Sequence, residues 1–396
     1  MELSQYFAKI KTAVSQNDGE TLAELLSYSN YPSLNIRIPT MSRKPSAISK
    51  IARKWLPDAW AEIVADFIIS QIKLDIFECY EWFAKAMKRF NIIFKTHTNW
   101  SLPVLFTFCS TLLKLATESD KEKIAYKQKP EKLEHARELL LQSFKITTND
   151  RKSLDISKKF GAIAVVNSLF FVYFKINNLR MCKNLIRSIE TPQFPSLDKF
   201  SISQTVTYKY FLGRLALLNS EYKKAEEHLT YAFNNCTKYH KKNKAMILLY
   251  LLPIQFLKGK VPSKKLLIKY PIPQFKGIVE SYISGNVNEF SNCIIKNQKF
   301  FIQKGIFLIL ENAKFIVYRN LFYRTYKISN INKINFSIFQ KAFDIIGVSI
   351  SLDEIECILS ILISQKKIIG YISHKLSTLV LKKDGAFPKL NLITKN

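Results

Sequence analysis

The chain has 396 residues, of which 47% are hydrophobic, and this is enough apolar material for a buried core in two or three domains. Sixty Lys and Arg residues against thirty-one Asp and Glu give a formal net charge of +29, a balance that favours polyanionic partners. Only eleven of the basic residues are Arg, and Ile and Asn are abundant, so the composition of an AT-rich genome is an alternative explanation of the excess. Charge alone therefore does not choose a function.

Cysteine usage and hydropathy exclude a disulfide scaffold and favour a protein without a membrane span. The six cysteines are widely spread and form no C-x-x-C pair, which is typical of free thiols in the reducing cytosol or nucleus. The first ten residues carry charges and no apolar core, so no signal peptide is expected. The longest uncharged run, Gly161 to Phe174, is too short to cross a bilayer and is predicted to be a buried helix. We therefore expect no membrane partner.

Glycine and proline are scarce, with ten and thirteen in the whole chain, and this indicates long helices with few tight turns. Helical periodicity predicts a first helix over residues 4–15 and a second over 21–28. Residues 29–57 contain four prolines and several basic side chains but little periodicity, so a basic loop is predicted there. Apolar residues return at helical steps from 60 to 115, and helical repeats are predicted over residues 1–200.

The middle of the chain, residues 201–325, has the residue pattern of tetratricopeptide-like units. Small and large residues stand at the offsets of that motif: Leu212, Gly213, Tyr222, Ala225, Leu229, Ala232 and Phe233. A weaker echo of the unit includes Leu179 and Cys182. Turn signals separate the predicted helices at 177–178, 219–220, 258–260 and 285–286. These observations predict an α-solenoid in which each helix pair buries its apolar face against its neighbour.

A solenoid presents a concave face on which an extended peptide can lie, and this face is one candidate binding surface. Three lysines beside the best-defined repeat are predicted to attract an acidic, disordered partner: Lys241, Lys242 and Lys244. The alternative for each single lysine is a solvated helix face.

Residues Gly305 to Tyr318 are apolar nearly all round, as expected for a helix that lies between two layers and joins the last repeat to the next domain. Arg319 and Arg324 follow and are candidate partner-binding residues. Because tyrosines lie beside them in the sequence, each Arg either stacks on a partner or pins the C-terminal domain to the repeats, and the second role is favoured.

The last part of the chain, residues 326–396, is predicted to be a winged helix. Ser351 and Glu354 form a capping box, because each side chain can bond the backbone N–H of the other, and an apolar helical stripe follows. β-branched and apolar residues at 368–372 and 378–381, joined by a short polar turn, predict a two-stranded hairpin after this helix.

Basic side chains rim the predicted wing and are the candidate nucleic-acid contacts: Lys366, Lys367, His374, Lys375, Lys382 and Lys383. Lysine contacts to phosphate give salt-dependent binding without sequence choice. Other roles stay open at this stage. Lys366 and Lys367 also suit the C-terminal end of a helix, where cations complement the helix dipole, and His374 also suits a polar turn.

Catalytic motifs are missing from the sequence, including the P-loop, zinc-protease, nucleophile-elbow and dinucleotide-binding signatures. The five histidines are isolated, and no cysteine stands at metal-ligand spacing from them. We therefore predict a protein that is not an enzyme and that holds no cofactor and no metal.

The order of the predicted elements, helical repeats followed by a terminal winged helix, resembles the PCI domain shared by proteasome-lid, signalosome and translation-initiation scaffolds. Several segments are similar to the PCI subunit of the nuclear mRNA-export complex of the TREX type. In the helical repeats these are NWSLP (99–103), VNSL (166–169), YFKIN (173–177), VTYKY (206–210), KNKAMIL (242–248) and YLLP (250–253). In the C-terminal part they are GIFLILE (305–311), YRNLF (318–322), GYISH (370–374) and FPKL (387–390). The segments are collinear and cover most of the chain from about residue 99.

This resemblance agrees with the fold that the periodicity predicts, a mainly α protein in which tetratricopeptide-like repeats run into a winged helix. It implies a non-enzymatic subunit of a hetero-oligomer, whose winged helix docks to a large GANP-like PCI scaffold. It also implies a small acidic peptide of the Sem type on the repeats, RNA or DNA bound without sequence preference, and a location in the nucleus at the nuclear pore, with the cytoplasm as a further location. Two alternatives stay open: a PCI subunit of a proteasome-lid or signalosome-type assembly, and a tetratricopeptide adaptor that binds peptides and touches no nucleic acid.

Overall fold

The structure, a computed structural model, describes residues 2–31, 36 and 44–390. The chain folds as two compact units, Met1–Phe211 and Leu212–Asn396. Within the described residues the fold is mainly helical, with one small sheet near the C-terminus. The predicted mainly α architecture is therefore confirmed, whereas the division at residues 200 and 325 stays a prediction.

The N-terminal unit is built from consecutive helices. They are α1 (Leu3–Ser15), α2 (Gly19–Leu25), α3 (Pro45–Trp55), α4 (Asp58–Ile72), α5 (Ile76–Phe94), α6 (Leu102–Ala125), α7 (Lys132–Thr148), α8 (Ala162–Lys175), α9 (Arg180–Ile189) and the first part of α10 (Ile202–Leu218). The two helices predicted first along the chain are confirmed as α1 and α2. The predicted buried helix at 161–174 is confirmed as α8, in which most side chains are buried.

Part of the predicted basic loop at 29–57 is wrong, because Pro45–Trp55 forms helix α3. Pro45 occupies the first turn, where its fixed φ suits a helix and its missing N–H costs nothing. Ile48 and Ala52, one helical turn apart, are fully buried and hold α3 on the unit. The remaining parts of the predicted loop at 32–35 and 37–43 lie outside the described residues.

One segment, Asn99–Ala125, is long and apolar enough in composition to cross a bilayer. More than half of its most apolar 18-residue stretch is buried inside the fold, and the core helix of a soluble protein can have the same length and hydropathy. The segment is therefore weak evidence for a membrane span, and the expected absence of a membrane partner stays a prediction.

A buried carboxylate lies between α4 and α5 of the N-terminal unit. Asp66 is 2% exposed, and its Oδ2 lies 3.2 Å from Arg89 Nη1. Arg89 also forms an ion pair with Glu62, so two carboxylates share one guanidinium. Burial raises the pKa of Asp66 to about 6; the charge of Arg89 opposes this rise and that of Glu62 adds to it. The ionised form of Asp66 is thus disfavoured in the folded chain.

We expect Asp66→Asn to flatten the pH dependence of stability between pH 4 and 7. Because the pKa of Asp66 is raised on folding, its contribution is fully present below about pH 4 and is lost as the pH rises through about 6. The free energy of unfolding of the wild type should therefore fall by up to about 3 kcal/mol relative to the variant across this interval. Urea titrations of both proteins at several pH values measure the difference, and parallel curves would contradict the prediction.

Among the described residues, the C-terminal unit contains the end of α10 and nine further helices, the last two of which belong to the terminal domain. The helices are α11 (Tyr222–Asn235), α12 (Lys241–Leu257), α13 (Lys264–Lys269), α14 (Lys276–Ser284), α15 (Val287–Lys296), α16 (Gln298–Lys304), α17 (Phe307–Ser329), α18 (Phe336–Ile345) and α19 (Leu352–Ser364). All four predicted turn signals fall between helices, which confirms the helix boundaries that they predicted.

The predicted tetratricopeptide-like pair is the hairpin of α10 and α11. A Cβ on Gly213 would lie 2.6 Å from Leu229 Cγ, so only glycine permits this close approach of the two helices. Ala225, Leu229 and Ala232 are fully buried. The small residues act as predicted, by letting one helix approach the other.

Helix α17 links the repeats to the terminal domain. It packs against α12, α14 and α15 on the repeat side and against α18 and α19 on the other side. The predicted position between two layers is thus confirmed, although Leu308, which is 76% exposed, and Asn312 face solvent.

The terminal domain is a winged helix in the order α17, β1, α18, α19, β2, β3. Its strands are β1 (Lys333–Asn335), β2 (Gly370–Ser373) and β3 (Thr378–Leu381), and all pair antiparallel in the order β1-β3-β2. Ser351 and Glu354 form the predicted capping box at the start of α19. The predicted hairpin is confirmed as β2 and β3, whereas β1 was not predicted.

Candidate functional site

The wing is the hairpin of β2 and β3 with its turn at residues 374–377. Gly370 lies against β3 so closely that a Cβ would be 2.4 Å from the Val380 carbonyl oxygen. The turn is closed by a hydrogen bond from the Ser377 N–H to the His374 carbonyl oxygen at 3.0 Å. Four of the predicted nucleic-acid lysines are exposed at or beside this hairpin: Lys366, Lys375, Lys382 and Lys383. The structure therefore brings these four cations to the wing with their ammonium groups open to solvent.

Lys366 has a structural role as well. Its φ of 55° is in the left-handed region, and the N–H of Lys367 donates to the Leu362 carbonyl oxygen at 2.8 Å, so the two residues close α19. Lys367 is half-buried, and burial together with the charge of Arg319 lowers its pKa. Lys367 is thus less accessible to phosphate than the other wing lysines.

His374 pairs with a carboxylate of the winged helix. Its Nδ1 lies 2.9 Å from Glu356 Oε2, and this hydrogen bond, reinforced by the negative charge, raises the pKa of His374. The side chain is exposed in the wing turn, as predicted. Because Glu356 neutralises the protonated ring, His374 adds little net positive charge to the wing.

Helix α19, which directly precedes the wing, carries negative charge. It carries Asp353, Glu354 and Glu356 and contains neither Lys nor Arg. Ile361, which is 37% exposed, adds an apolar side chain to its surface. A helix of this composition repels phosphate, unlike the cationic edge of the wing.

Arg319 on α17 acts as a clamp on both ends of the wing. Its Nε donates to the Lys367 carbonyl oxygen at 2.9 Å, and its Nη2 donates to the Pro388 carbonyl oxygen at 2.7 Å. Phe387 completes the clamp, with its ring centroid 5.5 Å from the guanidinium carbon. Arg319 is 8% exposed, and burial lowers its pKa. Of the two roles considered, these contacts support the favoured one, pinning the wing to α17, and the assignment of Arg319 to partner binding stays a prediction.

The other candidate partner-binding residues differ in accessibility. Lys244 is 8% exposed, and its Nζ donates to the Phe233 carbonyl oxygen at 2.8 Å, so its side chain is engaged within the unit and its assignment to partner binding stays a prediction. Lys241 and Lys242 are exposed in the first turn of α12. Arg324 is exposed as well, and its Nη2 donates to the Ile283 carbonyl oxygen at 3.2 Å. Three of the five residues thus remain accessible to a partner.

Sequence reasoning did not find the part that the segment after the wing plays in this site. Phe387 packs on Tyr323 and Tyr326 of α17, with ring centroids 5.2 and 5.5 Å apart. Leu390 lies against Gly259, whose φ is +70° and whose Cβ, if it had one, would be 2.5 Å from the leucine side chain. The signal was present in the aromatic and apolar character of FPKL, but its partners are distant in the sequence.

Metal chemistry finds no support in the part of the chain that the structure describes. No group of three or more His, Cys, Asp or Glu side chains there could hold a metal ion. The six cysteines are free, and four of them are buried.

Comparison with known proteins identifies the domain and its family. The PCI domain model matches residues 279–383, from α14 to the end of the wing. PCI domain-containing protein 2 of Xenopus laevis is 34% identical over 400 residues, which cover 99% of this chain and 98% of that protein. The chain belongs to the PCI domain-containing protein 2 family.

Two further relatives show the breadth of the PCI domain-containing protein 2 family. The homologue of PCI domain-containing protein 2 in Dictyostelium discoideum is 48% identical over 261 residues, or 65% of this chain and 60% of that protein. A protein of Schizosaccharomyces pombe named as a CSN12 homologue is 29% identical over 416 residues, or 98% of each chain. The PCI match includes the wing lysines and Arg319, whereas Lys241 and Lys242 precede it.

Proposed function

We propose that this member of the PCI domain-containing protein 2 family is a non-enzymatic scaffold subunit of a nuclear mRNA-export complex of the TREX type. Its winged helix docks to a GANP-like PCI scaffold, and its wing lysines hold RNA or DNA phosphates without sequence preference. A small acidic peptide of the Sem type lies on the repeats. The proposed place of action is the nucleus at the nuclear pore, and the cytoplasm is a further location.

The observation that carries the nucleic-acid part of the proposal is the group of exposed lysines at the wing. Lys366, Lys375, Lys382 and Lys383 have no carboxylate within ion-pair distance among the described residues, so their charge is available to phosphate. Lys241 and Lys242 support the acidic peptide, since they stand at the N-terminus of α12, where the helix dipole adds to the positive potential.

The salt dependence of RNA binding tests this proposal. We expect reversal of Lys366, Lys375, Lys382 and Lys383 to Glu to weaken binding of a mixed-sequence single-stranded RNA and to flatten the log–log plot of affinity against salt. Each lost phosphate contact removes about 0.7 from the slope, so four contacts remove about 2.8. Lys367 is left unchanged because it is half-buried. Binding is measured by fluorescence anisotropy, with and without the winged-helix region of the scaffold.

A matched variant separates local contacts from net charge. Lys264, Lys265, Lys269 and Lys299 are exposed on α13 and α16, and their reversal to Glu changes the net charge of the same unit by the same amount. This control should retain most of the salt slope. Equal slopes for the wing variant and the control would contradict the assignment of phosphate contacts to the wing.

A second candidate function is that of a PCI subunit in a signalosome- or proteasome-lid-type assembly, and the surface of the winged helix favours it. Carboxylates on α19, together with the exposed Tyr371 on β2 and Leu376 in the wing turn, suit contacts to protein better than to phosphate. The name of the CSN12 homologue in Schizosaccharomyces pombe fits this reading. It predicts that the protein co-purifies with several PCI chains and that the wing variant and the control bind RNA equally weakly.

A further inference from the structure

A cleft of about 510 Å³ opens beside the Arg319 clamp, within the C-terminal unit. It is lined by α17, by the end of α14 and by residues 387–390, which follow the wing. The contact of Leu390 with Gly259 holds this last segment in place. The volume is in the range of pockets that bind ligands, and it exceeds what a single side chain fills.

The charged side chains that line the cleft are all cationic. They are Arg319, Arg324 and Lys389, and neither Asp nor Glu is among the lining residues. Arg319 is the decisive one, because it is 8% exposed and no carboxylate of the described residues lies within ion-pair distance of it. Two of its five N–H donors are used by the carbonyl oxygens of the clamp. A buried cation without an opposite charge is costly, so the cleft favours an anion.

The rest of the lining is apolar and aromatic. Val261, Ile316 and Phe387 contribute hydrocarbon surface next to the three cations. Such a surface disfavours burial of a doubly charged phosphate more than burial of a single carboxylate, because the desolvation cost rises steeply with charge. The lining also offers burial to a large apolar group that enters beside the carboxylate. The chemistry that fits is therefore one carboxylate next to an apolar side chain.

We propose that this cleft is a docking pocket for a segment of a partner protein, which inserts one Asp or Glu side chain together with a neighbouring large apolar side chain. PCI domain proteins form hetero-oligomeric assemblies, so a protein is the occupant that this chain meets. The pocket rests on the scaffold role proposed above but does not depend on RNA binding. It also differs from the exposed lysines of α12, because it combines charge with a shaped apolar surface.

A selection experiment tests the pocket and does not require the partner to be identified first. The full chain is panned against a random 12-residue peptide library displayed on phage, with counter-selection on the Arg324→Glu/Lys389→Glu variant. Arg319 is left unchanged because it holds the wing. Enriched peptides should share one Asp or Glu within two residues of Phe, Leu, Trp or Tyr. Synthetic forms of these peptides should bind the double variant about tenfold more weakly than the wild type. Peptides in which Asn or Gln replaces the Asp or Glu should bind the wild type about tenfold more weakly than the original peptides.

Two further variants make the result specific. Val261 lines the cleft and is exposed, so Val261→Trp places a large side chain at the cleft. This variant should block peptide binding without any change in charge. Lys264→Glu/Lys265→Glu matches the charge change of the double variant and should leave peptide binding intact. RNA salt slopes measured on the same proteins should stay at the wild-type value for Val261→Trp, which separates a failure of the pocket from a failure of the proposed RNA contacts.

Three outcomes would overturn the pocket: no enrichment above the counter-selection, enriched peptides without a carboxylate, or peptide binding that survives Val261→Trp. Deletion of residues 391–396 provides the last check. Tighter peptide binding after this deletion would assign the cleft to the chain's own tail and would also overturn the proposal. Retained binding to the truncated chain, with the dependence on Arg324 and Lys389 unchanged, supports a partner protein.

Discussion

Replacement of Arg319 by methionine is expected to lower the free energy of unfolding of the C-terminal unit by about 2–3 kcal/mol. Methionine fills much of the same volume but leaves the carbonyl oxygens of Lys367 and Pro388 without their donor. Each buried acceptor that loses its partner costs about 1–3 kcal/mol, and relief of the buried charge offsets part of this cost. Urea denaturation measures the loss. The free energy of unfolding of Arg319→Lys should lie between those of the wild type and Arg319→Met, because one ammonium group cannot span both carbonyl oxygens as the guanidinium fork does.

Hydrogen exchange shows whether the loss is local to the wing. The amide N–H of Ile369 donates to the Ala386 carbonyl oxygen at 2.8 Å, and the amide N–H of Lys382 donates to the Ile369 carbonyl oxygen at 3.1 Å. Both lie between the two points that Arg319 holds, so their exchange should accelerate at least about tenfold in Arg319→Met, whereas the hairpin of α10 and α11 keeps its protection. Arg324→Met is the matched control, since this exposed side chain makes one hydrogen bond of 3.2 Å. An equal loss in both variants would contradict the clamp.

The elements that the sequence predicted correctly are those whose signals are local. The capping box of α19 needs only Ser351 and Glu354, three residues apart, and both hydrogen bonds are present. The close approach of α10 to α11 could be predicted because Gly213 and Leu229 belong to one sequence motif. The hairpin of β2 and β3 was readable because its two strands are adjacent in the chain.

The elements that escaped prediction did so for different reasons. Strand β1 has three residues and exists because Ile334 pairs with Leu379 of β3, far away in the sequence. Tertiary pairing outweighs local propensity there. Helix α3 has a local signal, because Ile48, Ile51, Ala52 and Trp55 stand at helical spacing, but the neighbouring prolines and basic residues resemble a loop.

In the candidate site, the sequence did not predict which basic side chains are buried. Lys244 and Arg319 look in sequence like the exposed cations around them, but both turn inward to backbone carbonyl oxygens. Composition cannot show which way a long basic side chain points, because the same residue either reaches solvent or satisfies a helix end. The exposed wing lysines, by contrast, follow from their place at the ends of strands and turns.

Gly19→Ala is expected to destabilise the N-terminal unit by about 3 kcal/mol, at the upper end of the usual cost of overpacking. Gly19 starts α2, and a Cβ there would lie 1.7 Å from the carbonyl oxygen of Trp100 and 2.9 Å from its carbonyl carbon. These are backbone atoms of the turn that begins α6, so no side-chain rotation relieves the clash. The Trp100 ring is itself fixed by contact with His97 at a centroid distance of 4.8 Å. Either α2 or the turn must therefore move.

Gly277→Ala is the matched control, because its Cβ would meet only the Cys293 sulfur at 2.7 Å, and that side chain can rotate away. It is the second residue of α14, where alanine gains at most the roughly 0.5–1 kcal/mol of helix propensity of an interior position, which offsets part of the residual crowding. We expect Gly277→Ala to be nearly neutral, and Gly19→Ala to lower the urea midpoint and to accelerate hydrogen exchange in α1, α2 and the start of α6. Similar unfolding curves for the two variants would mean that α2 does not pack against the turn before α6 in solution. The helical order of the N-terminal unit would then rest on α4 and α5, whose core does not involve Gly19.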